Sequence, residues 1–379
     1  MKKATFQGGV HPDDQKQFSR NIPFFVYESK GEMVFPLSQH IGAPASPVVK
    51  KGDEVLAGQM IAQAAGFVSA NIISSCSGTV KSIEKRMIVT GAKIPSIVIE
   101  NDGEYRTVEG TGTEVDYKTL TKEDILEKIK DAGIVGLGGA GFPTHVKLAP
   151  KNADEIRYVI ANGSECEPYI TCDDRLMREC ANEIITGMEI LISLFPKAEG
   201  IVIIEANKPE AIAAMKKACE KSSKVRVLEV QTKYPQGGER SCISVVTGKH
   251  LKLGMLPADL GCVVDNVTTI HAIYNAVCKS TPLMTRGFTV SGNAVNNPAN
   301  YIVRIGTSFQ ELLEASGGIK DGMELKKAIC GGPMMGFAMA NLNVPVTRQN
   351  NALTVLGTDE VETATAQMSA CLRLSLIHI

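Results

Sequence analysis

Short β-prone runs alternate with turn residues along the first part of the chain. Three of these runs occupy residues 46–55, 58–62 and 75–83, with turn formers such as Gly52 and Gly58 within and between them. Closely spaced short strands of this kind indicate an all-β arrangement rather than a helical one. The pattern therefore predicts a small β module between Leu37 and Glu100.

A different pattern follows the Gly-, Thr- and Glu-rich residues 101–117. Thr121 is placed to cap a helix whose Ile125, Leu126 and Ile129 share one face, and Gly133 is placed to end that helix. Strand-like and helix-like runs then alternate, with strands at 156–161, 200–206 and 225–230 and helices at 173–194 and 209–221. This alternation predicts a mainly parallel sheet covered by helices.

The pattern changes again near Pro282. Two β-prone runs at 289–292 and 301–306 precede an amphipathic stretch at 308–315, and a second glycine-rich run follows at 331–336. This order predicts a separate small α+β module of β-grasp type. Residues 347–379 are polar and weakly patterned, so we interpret them as a tail.

Composition narrows the classes of function. The chain has 379 residues, enough for two or three domains, and its 40 basic residues nearly balance its 41 acidic ones, so we expect no nucleic-acid partner. No run of about 18 apolar residues occurs, and the first 20 residues lack an apolar core, so we expect neither secretion nor a transmembrane segment. None of the ten cysteines forms a C-x-x-C pair, which excludes a complete zinc or iron–sulfur motif.

The most informative stretch is G-L-G-G-A-G-F-P at residues 136–143. Gly136, Gly138, Gly139 and Gly141 lie between a strand-like and a helix-like segment. Glycine permits positive φ and close approach of the backbone to a ligand, and exposed amides near a helix start attract anions. The run matches neither the dinucleotide fingerprint nor a P-loop. On the glycines alone, an anion-binding loop and a plain turn both remain open.

Two further loops follow predicted strand ends. One begins at Asn162 and carries Glu165 and Glu167, and the other runs from Tyr234 to Glu239. Because ligands of parallel sheets bind beyond the carboxyl ends of the strands, these loops could converge with the glycine run on one cleft. Lys147 would supply a cation there. The alternative interpretation is that these are solvated surface charges, which is the commoner case for such residues taken singly.

Four motifs together carry a family resemblance. They are G-L-G-G-A-G-F-P-T-H-V-K-L, N-G-S-E-C-E-P, Y-P-Q-G-G-E-R and D-N-V-T-T, in that order along the chain. They resemble G-R-G-G-A-G-F-P-T-G, N-x-D-E-S-E-P, G-E-E and N-N-V-E-T of the flavin-carrying, NADH-oxidising subunits of respiratory complex I. With a leading β module and a β-grasp module, the chain is most similar to the RnfC family, whose members are subunits of the Rnf electron transport complex.

The resemblance implies an α/β fold with three modules. These are a Rossmann-like FMN/NADH-binding domain, a preceding barrel-sandwich-hybrid β module and a following β-grasp (SLBB-like) module. The β module resembles biotinyl and lipoyl domains but holds no lysine at the corresponding tip, residues 67–75, so we expect a structural or docking role. We place the boundaries at 1–110, 118–280 and 281–348, with residues 349–379 as a tail that enters a ferredoxin-like domain.

The resemblance also implies the site residues. Those expected to bind FMN or NADH are Gly136, Gly138, Gly139, Gly141, Phe142, Lys147, Asn162, Glu165, Glu167, Tyr234, Gly237, Gly238, Glu239, Asn266 and Thr268. Hydride would pass directly from the nicotinamide to the flavin, so no general acid or base is expected. This chain departs from the complex I motifs at Leu137, Ser164, Gly238 and Asp265, and contacts of those side chains are not carried over.

The resemblance implies two 4Fe-4S clusters in an intact protein. Cys371 resembles the first ligand of the first cluster motif, but no further cysteine follows it, so one cysteine cannot hold a cluster. Residues 374–379 match the translation of a sequencing-adapter end, which leads us to expect a truncated reading frame. Sequencing reads that continue past Cys371 into cysteine motifs would support this hypothesis, and a native stop codon would refute it.

The expected function is electron transfer between NAD(H) and ferredoxin through FMN. The expected partners are ferredoxin, NAD(H) and the other subunits of an ion-translocating complex, with the chain held peripherally on the cytoplasmic face of the cell membrane. Two alternatives stay open. One is a cobalamin reductase of similar architecture, and the other is a docking relative that has lost its flavin.

Overall fold

The computed structural model describes residues 3–361. The first eight strands are β1 (Phe24–Tyr27), β2 (Met33–Pro36), β3 (Ser46–Pro47), β4 (Glu54–Val55), β5 (Met60–Gln63), β6 (Ile72–Ile73), β7 (Gly78–Met87) and β8 (Lys93–Asn101). Strands β2-β8-β7-β4 and β3-β5-β6 form two antiparallel sheets. Phe35, Ile61 and Ile97 are buried between them, so the alternation in the sequence correctly predicted a β module with its own core.

The central part of the chain is an α/β domain. Its elements are α1 (Lys122–Asp131), α2 (Thr144–Lys147), β9 (Tyr158–Gly163), α3 (Cys172–Glu179), α4 (Ala181–Ser193), β10 (Glu199–Glu205), α5 (Pro209–Cys219), β11 (Val225–Val230), α6 (Glu239–Thr247), β12 (Cys262–Asn266) and α7 (Val267–Cys278). The strand order is β11-β10-β9-β12, with every pair parallel. The predicted helix 173–194 is interrupted at Cys180, which lies between α3 and α4.

Local sequence explains several boundaries of this domain. Thr121 accepts a hydrogen bond from the Asp124 amide, and the Asp124 carboxylate accepts one from the Thr121 amide, so α1 begins with a complete capping box. Gly133, with φ +68°, follows the helix end. The strand register then pairs Asn162 at the end of β9 with Asn266 at the end of β12. The loop after Asn162 and the start of α7 after Asn266 thus lie at the ends of neighbouring strands.

The third module contains β13 (Thr285–Ser291), β14 (Ala299–Arg304), α8 (Phe309–Ala315), β15 (Lys327–Cys330), β16 (Phe337–Met339) and β17 (Ala352–Leu356). Its sheet has six strands in the order β1-β14-β13-β17-β15-β16. Strand β17 is fully buried between β13 and β15, although the sequence pattern assigned it to the tail. Five consecutive apolar or β-branched residues are short enough to be overlooked between polar segments.

Residues 3–27, which the sequence analysis assigned to the β module, instead pair with the other two modules. Val10 and Tyr234 exchange two backbone hydrogen bonds of 2.8 Å, and β1 pairs with β14 in parallel. Within residues 3–361, no helix combines the length and apolar character needed to cross a membrane. Cys371 and residues 374–379 lie outside the described residues, and the domain boundaries given above stay predictions.

The three modules meet around the buried Arg348. Its guanidinium donates to the carbonyls of Asn71 (2.8 Å) and Gly133 (2.7 Å), and it contacts His40 Nδ1 at 3.1 Å. The pKa of His40 is lowered to about 4, mainly by burial and to a smaller extent by the positive charge of Arg348. A protonated imidazole would direct a second N–H at the guanidinium, so the fold requires His40 to be neutral.

We expect this arrangement to make the protein acid-sensitive. The pKa of His40 in the folded protein lies below its unfolded value of 6.5. Above about pH 6.5 the residue is neutral in both states, so it costs no free energy of unfolding. Between pH 6.5 and 4 the loss should reach about 3 kcal/mol. Urea unfolding at several pH values measures it. The control is His40→Asn, whose side-chain oxygen can still accept from Arg348 but does not titrate. The prediction would be contradicted if the free energy of unfolding fell by the same amount with pH in both proteins.

Candidate functional site

The glycine run forms a closed loop between Val135 and Pro143. The Gly136 amide donates to Phe142 O at 2.8 Å, and the Gly141 amide donates to Gly136 O at 3.1 Å. By contrast, the amides of residues 138–140 donate no hydrogen bond to any residue between 3 and 361, and all three residues are exposed. Three consecutive free amides form the kind of concavity that binds an anion.

Glycine is favoured at Gly139 by its backbone angle and at Gly138 by close packing. Gly139 has φ +132°, and a Cβ there would point into open space with no atom within 4 Å. A Cβ at Gly138 would lie 3.0 Å from the Asn266 Cβ, so the loop packs directly against the start of α7. The free amides and the positive end of the α7 dipole therefore act on the same space.

The start of α7 is fixed by side chains from two segments. Asn266 caps the helix by accepting from the Thr268 amide at 2.9 Å. Asp173 accepts from Asn266 Nδ2 at 2.7 Å and from Thr268 Oγ1 at 2.8 Å. Both predicted residues thus lie at the site, and Asp173, which the sequence analysis did not single out, holds them together. The sequence signal that could have identified Asp173 is the D-D-R run at residues 173–175, which follows the second motif.

Lys147 lies in a cluster of charged groups beside the same helix start. Its ammonium donates to Val264 O at 2.7 Å and to Asp265 Oδ1 at 3.1 Å, and Glu239 Oε1 is 3.9 Å away. Burial lowers the pKa of Lys147, but the two carboxylates outweigh burial and raise it above the ordinary value. Burial raises the pKa of Asp265 and of Glu239. Asp265 Oδ2 has no hydrogen-bond partner among the described residues, so it is available to a bound donor.

The Tyr234–Glu239 loop forms the opposite side of the cleft. Asn162 Nδ2 donates to Gly237 O at 2.8 Å, and the Gly237 amide points at Cys166 Sγ at 3.3 Å. Tyr234 is buried, and Gly238 precedes α6, whose first residue is Glu239. These contacts bring the two predicted loops together.

The two glutamates of the second motif have different surroundings. Glu165 is buried with φ +48°, and its carboxylate accepts from the Asp173 amide at 2.6 Å, at the start of α3. Burial raises its pKa, and Lys16 partly offsets this. Glu167 Oε2 accepts from the Met334 amide of the third module at 3.1 Å, while its Oε1 has no partner among the described residues. Of the two glutamates, Glu167 therefore has the free oxygen to offer a ligand.

The cleft suits a phosphate-bearing ligand with polar groups. Free amides, a helix start and a lysine favour the anion, while the buried, unpartnered oxygens of Asp265 and Glu167 suit hydroxyl or N–H groups. Phe142 is half-buried at the end of the glycine loop and offers an aromatic face. These residues fit a flavin mononucleotide together with a dinucleotide.

Comparison with known families agrees with this description. Residues 4–104 match the RnfC barrel sandwich hybrid domain, residues 129–275 the Nuo51 FMN-binding domain and residues 288–338 the SLBB domain. The three models occur in the order expected from the sequence, which confirms the predicted fold class. The cleft residues from Gly136 to Thr268 all lie inside the FMN-binding match.

Named relatives extend the agreement to almost the whole chain. The RnfC-type subunit of the proton-translocating ferredoxin:NAD(+) oxidoreductase complex of Clostridium ljungdahlii is 45% identical over 99% of this chain and 82% of its own length. Its counterpart in the Na(+)-translocating complex of Acetobacterium woodii is 37% identical over 100% of this chain and 86% of its own. Both relatives are thus covered over most of their length.

A solved structure shares the fold. The NAD+-reducing [NiFe]-hydrogenase aligns with a TM-score of 0.52 and 23% identity, over 63% of this chain and 47% of the hydrogenase chain. At this identity the likeness supports the architecture alone. The family matches and the near full-length relatives identify the chain as a member of the RnfC family of ion-translocating ferredoxin:NAD(+) oxidoreductase (Rnf) subunits, with the FMN-binding domain of that family.

Proposed function

We propose that this chain transfers electrons between NAD(H) and FMN as a peripheral subunit of a membrane-bound, ion-translocating complex that exchanges electrons with ferredoxin. The observation that carries the proposal is the set of free amides at residues 138–140 beside the start of α7. The relatives, which are named as components of ferredoxin:NAD(+) oxidoreductase complexes, supply the two redox partners. The cytoplasmic face, where NAD(H) is found, is the proposed location.

A bound FMN would supply the chemistry of hydride acceptance from the nicotinamide and of one-electron release. The residues of this chain bind and orient the reactants. The amides of residues 138–140 hold a phosphate, and Lys147 adds positive charge beside them. Phe142 offers its ring for stacking, and Asn162 aligns the facing loop through Gly237. No side chain has to donate or remove a proton for hydride transfer.

The remaining predicted site residues take supporting or polar roles in this proposal. Asn266 and Thr268 keep the start of α7 in place beneath the phosphate, and Glu167 offers its free oxygen to a ribose hydroxyl or an amide. Glu165 acts indirectly, because its carboxylate is engaged at the start of α3. We therefore assign Glu165 to positioning the loop that carries Glu167.

The test is a flavin titration of the purified chain. We expect the protein to retain or take up about one FMN and the flavin absorbance to bleach when NADH is added without oxygen. ADP-ribose is the matched control, because it carries the same diphosphate but no hydride donor, and it should leave the absorbance unchanged. A colourless protein that takes up no FMN would contradict the proposal.

A further inference from the structure

The glycine loop of the α/β domain accepts hydrogen bonds from residues that belong to other modules. Arg286 of β13 donates to Leu137 O at 3.3 Å. Gln349, which precedes β17, donates from Nε2 to Ala140 O at 3.1 Å. The Ile41 amide of the β module donates to Gly141 O at 3.1 Å. The carbonyl groups on both sides of the free amides are thus fixed by long-range contacts.

Arg286 is buried and bonded mainly to backbone. Besides Leu137 O, its guanidinium donates to Gly287 O at 3.2 Å and to Arg348 O at 2.5 Å. Burial lowers the pKa of Arg286, and the charge of Asp173 only partly offsets this. A buried charge whose hydrogen bonds all go to carbonyls costs free energy. Its geometry, with a planar fork aimed at three carbonyls, fixes the positions of those carbonyls closely.

Peptide geometry relates Arg286 to the anion site. In a planar trans peptide the C=O of one residue and the N–H of the next point in opposite directions. Because Arg286 holds Leu137 O on the buried side, the Gly138 N–H must point to the open side. The direction of this free amide is therefore determined by a residue 148 positions later in the chain.

Gln349 acts on the other end of the loop. Gly141 is buried with φ +68°, and a Cβ there would lie 2.6 Å from Gln349 Nε2. The glutamine therefore fills the space that a side chain at Gly141 would take. It also holds Ala140 O while the Gly141 N–H of the same peptide donates to Gly136 O. Both ends of this peptide are engaged, which closes the loop around the free amides.

We infer that Arg286 and Gln349 are positioning residues of the phosphate loop, so that ligand affinity depends on how the third module is docked. The inference rests on the proposed function, in which the loop binds a phosphate ester. That phosphate belongs either to the flavin or to the dinucleotide. Ligand binding therefore stabilises the docked arrangement of the modules. Loss of docking lowers the affinity for the ligand by the same factor.

The test compares Gln349→Met with the control Gln310→Met. Methionine keeps the bulk at 349 but removes the donor to Ala140, whereas Gln310 donates to Glu314 on the exposed side of α8. We expect FMN binding to weaken about 2- to 10-fold in Gln349→Met, which is the net effect of one hydrogen bond. Riboflavin, which has no phosphate, should bind equally well to both variants. Arg286→Lys should have a larger effect of the same kind.

The source of the phosphate follows from the same experiment. Weaker FMN binding with unchanged riboflavin binding assigns the loop to the flavin phosphate. An unchanged FMN affinity with a raised KM for NADH assigns it to the dinucleotide. If neither the FMN affinity nor the KM for NADH changes, the inference is wrong. It is also wrong if riboflavin binding weakens as much as FMN binding.

Amide hydrogen exchange separates this inference from the proposed function. In protein without any ligand, exchange at the hydrogen-bonded amides of Gly136, Leu137 and Gly141 should be faster in Gln349→Met than in Gln310→Met, because the loop loses one anchor. Equal exchange rates would overturn the inference even where FMN binds normally. If the wild-type chain binds no flavin but exchange still increases, the proposed function fails and the positioning role stands.

Discussion

Gly139→Val is expected to abolish FMN binding. At φ +132° a branched side chain is strained by about 1–3 kcal/mol, and it would project into open space beside three free amides. Strain alone would shift the amides, and the added methyl groups would occupy the volume that the phosphate requires. A combined cost of about 3 kcal/mol or more weakens binding by at least about 100-fold. Flavin absorbance after purification and a titration with FMN measure the effect.

The control for this substitution is Gly52→Val in the β module. Gly52 has φ +90°, and a Cβ there also meets nothing within 4 Å, so the backbone is strained in a similar way. We expect both variants to lose comparable thermal stability, but only Gly139→Val to lose the flavin. If Gly139→Val retains FMN at wild-type occupancy, the placement of the loop under the phosphate is wrong.

The parts of this structure that were predictable depend on local sequence. The capping box at Thr121 and the stop at Gly133 involve residues within a few positions of one another, so the sequence determines them directly. The convergence of the loop at Asn162 with the Tyr234–Glu239 loop comes from a rule for parallel strands, because their carboxyl ends share one edge. Knowledge of the exact strand order was not needed.

The parts that were missed depend on tertiary pairing. Asp173 completes the start of α7 from a helix 93 residues earlier than Asn266, and Arg286 reaches Leu137 across 149 residues. Neither hydrophobic periodicity nor motif spacing in the sequence predicts such long-range contacts. The resemblance to the complex I subunits placed Glu165 and Glu167 together in the cleft, and only the structure shows that one faces a helix start and the other the third module.

Lys16 is the clearest example of a missed residue, and its loss should have the largest effect on stability. It lies in the N-terminal segment that was assigned to the β module, yet its side chain is 1% exposed inside the α/β domain. Its ammonium donates to Glu167 O at 3.0 Å and to Ile170 O at 2.5 Å, and lies 3.8 Å from Glu165 Oε2. It thus connects the N-terminal segment to the loop that carries Glu167.

We expect Lys16→Met to destabilise the protein by about 3–5 kcal/mol, because it leaves two carbonyls without a donor and removes a cation from beside the buried Glu165, whose pKa burial already raises to about 8. The midpoint of urea unfolding measures the loss. Lys3→Met is the matched control, since Lys3 pairs with Glu229 at 2.7 Å with both side chains partly exposed, and such pairs contribute about 0–1 kcal/mol.

A second substitution divides the loss into its two causes. Glu165→Gln in the Lys16→Met background removes the buried titratable carboxyl but leaves the carbonyls of Glu167 and Ile170 without a donor. We expect the double variant to recover part of the stability, so that the two substitutions are strongly non-additive. Full recovery would mean that the ion pair alone matters. If Lys16→Met unfolds at the same urea concentration as Lys3→Met, Lys16 does not hold this loop.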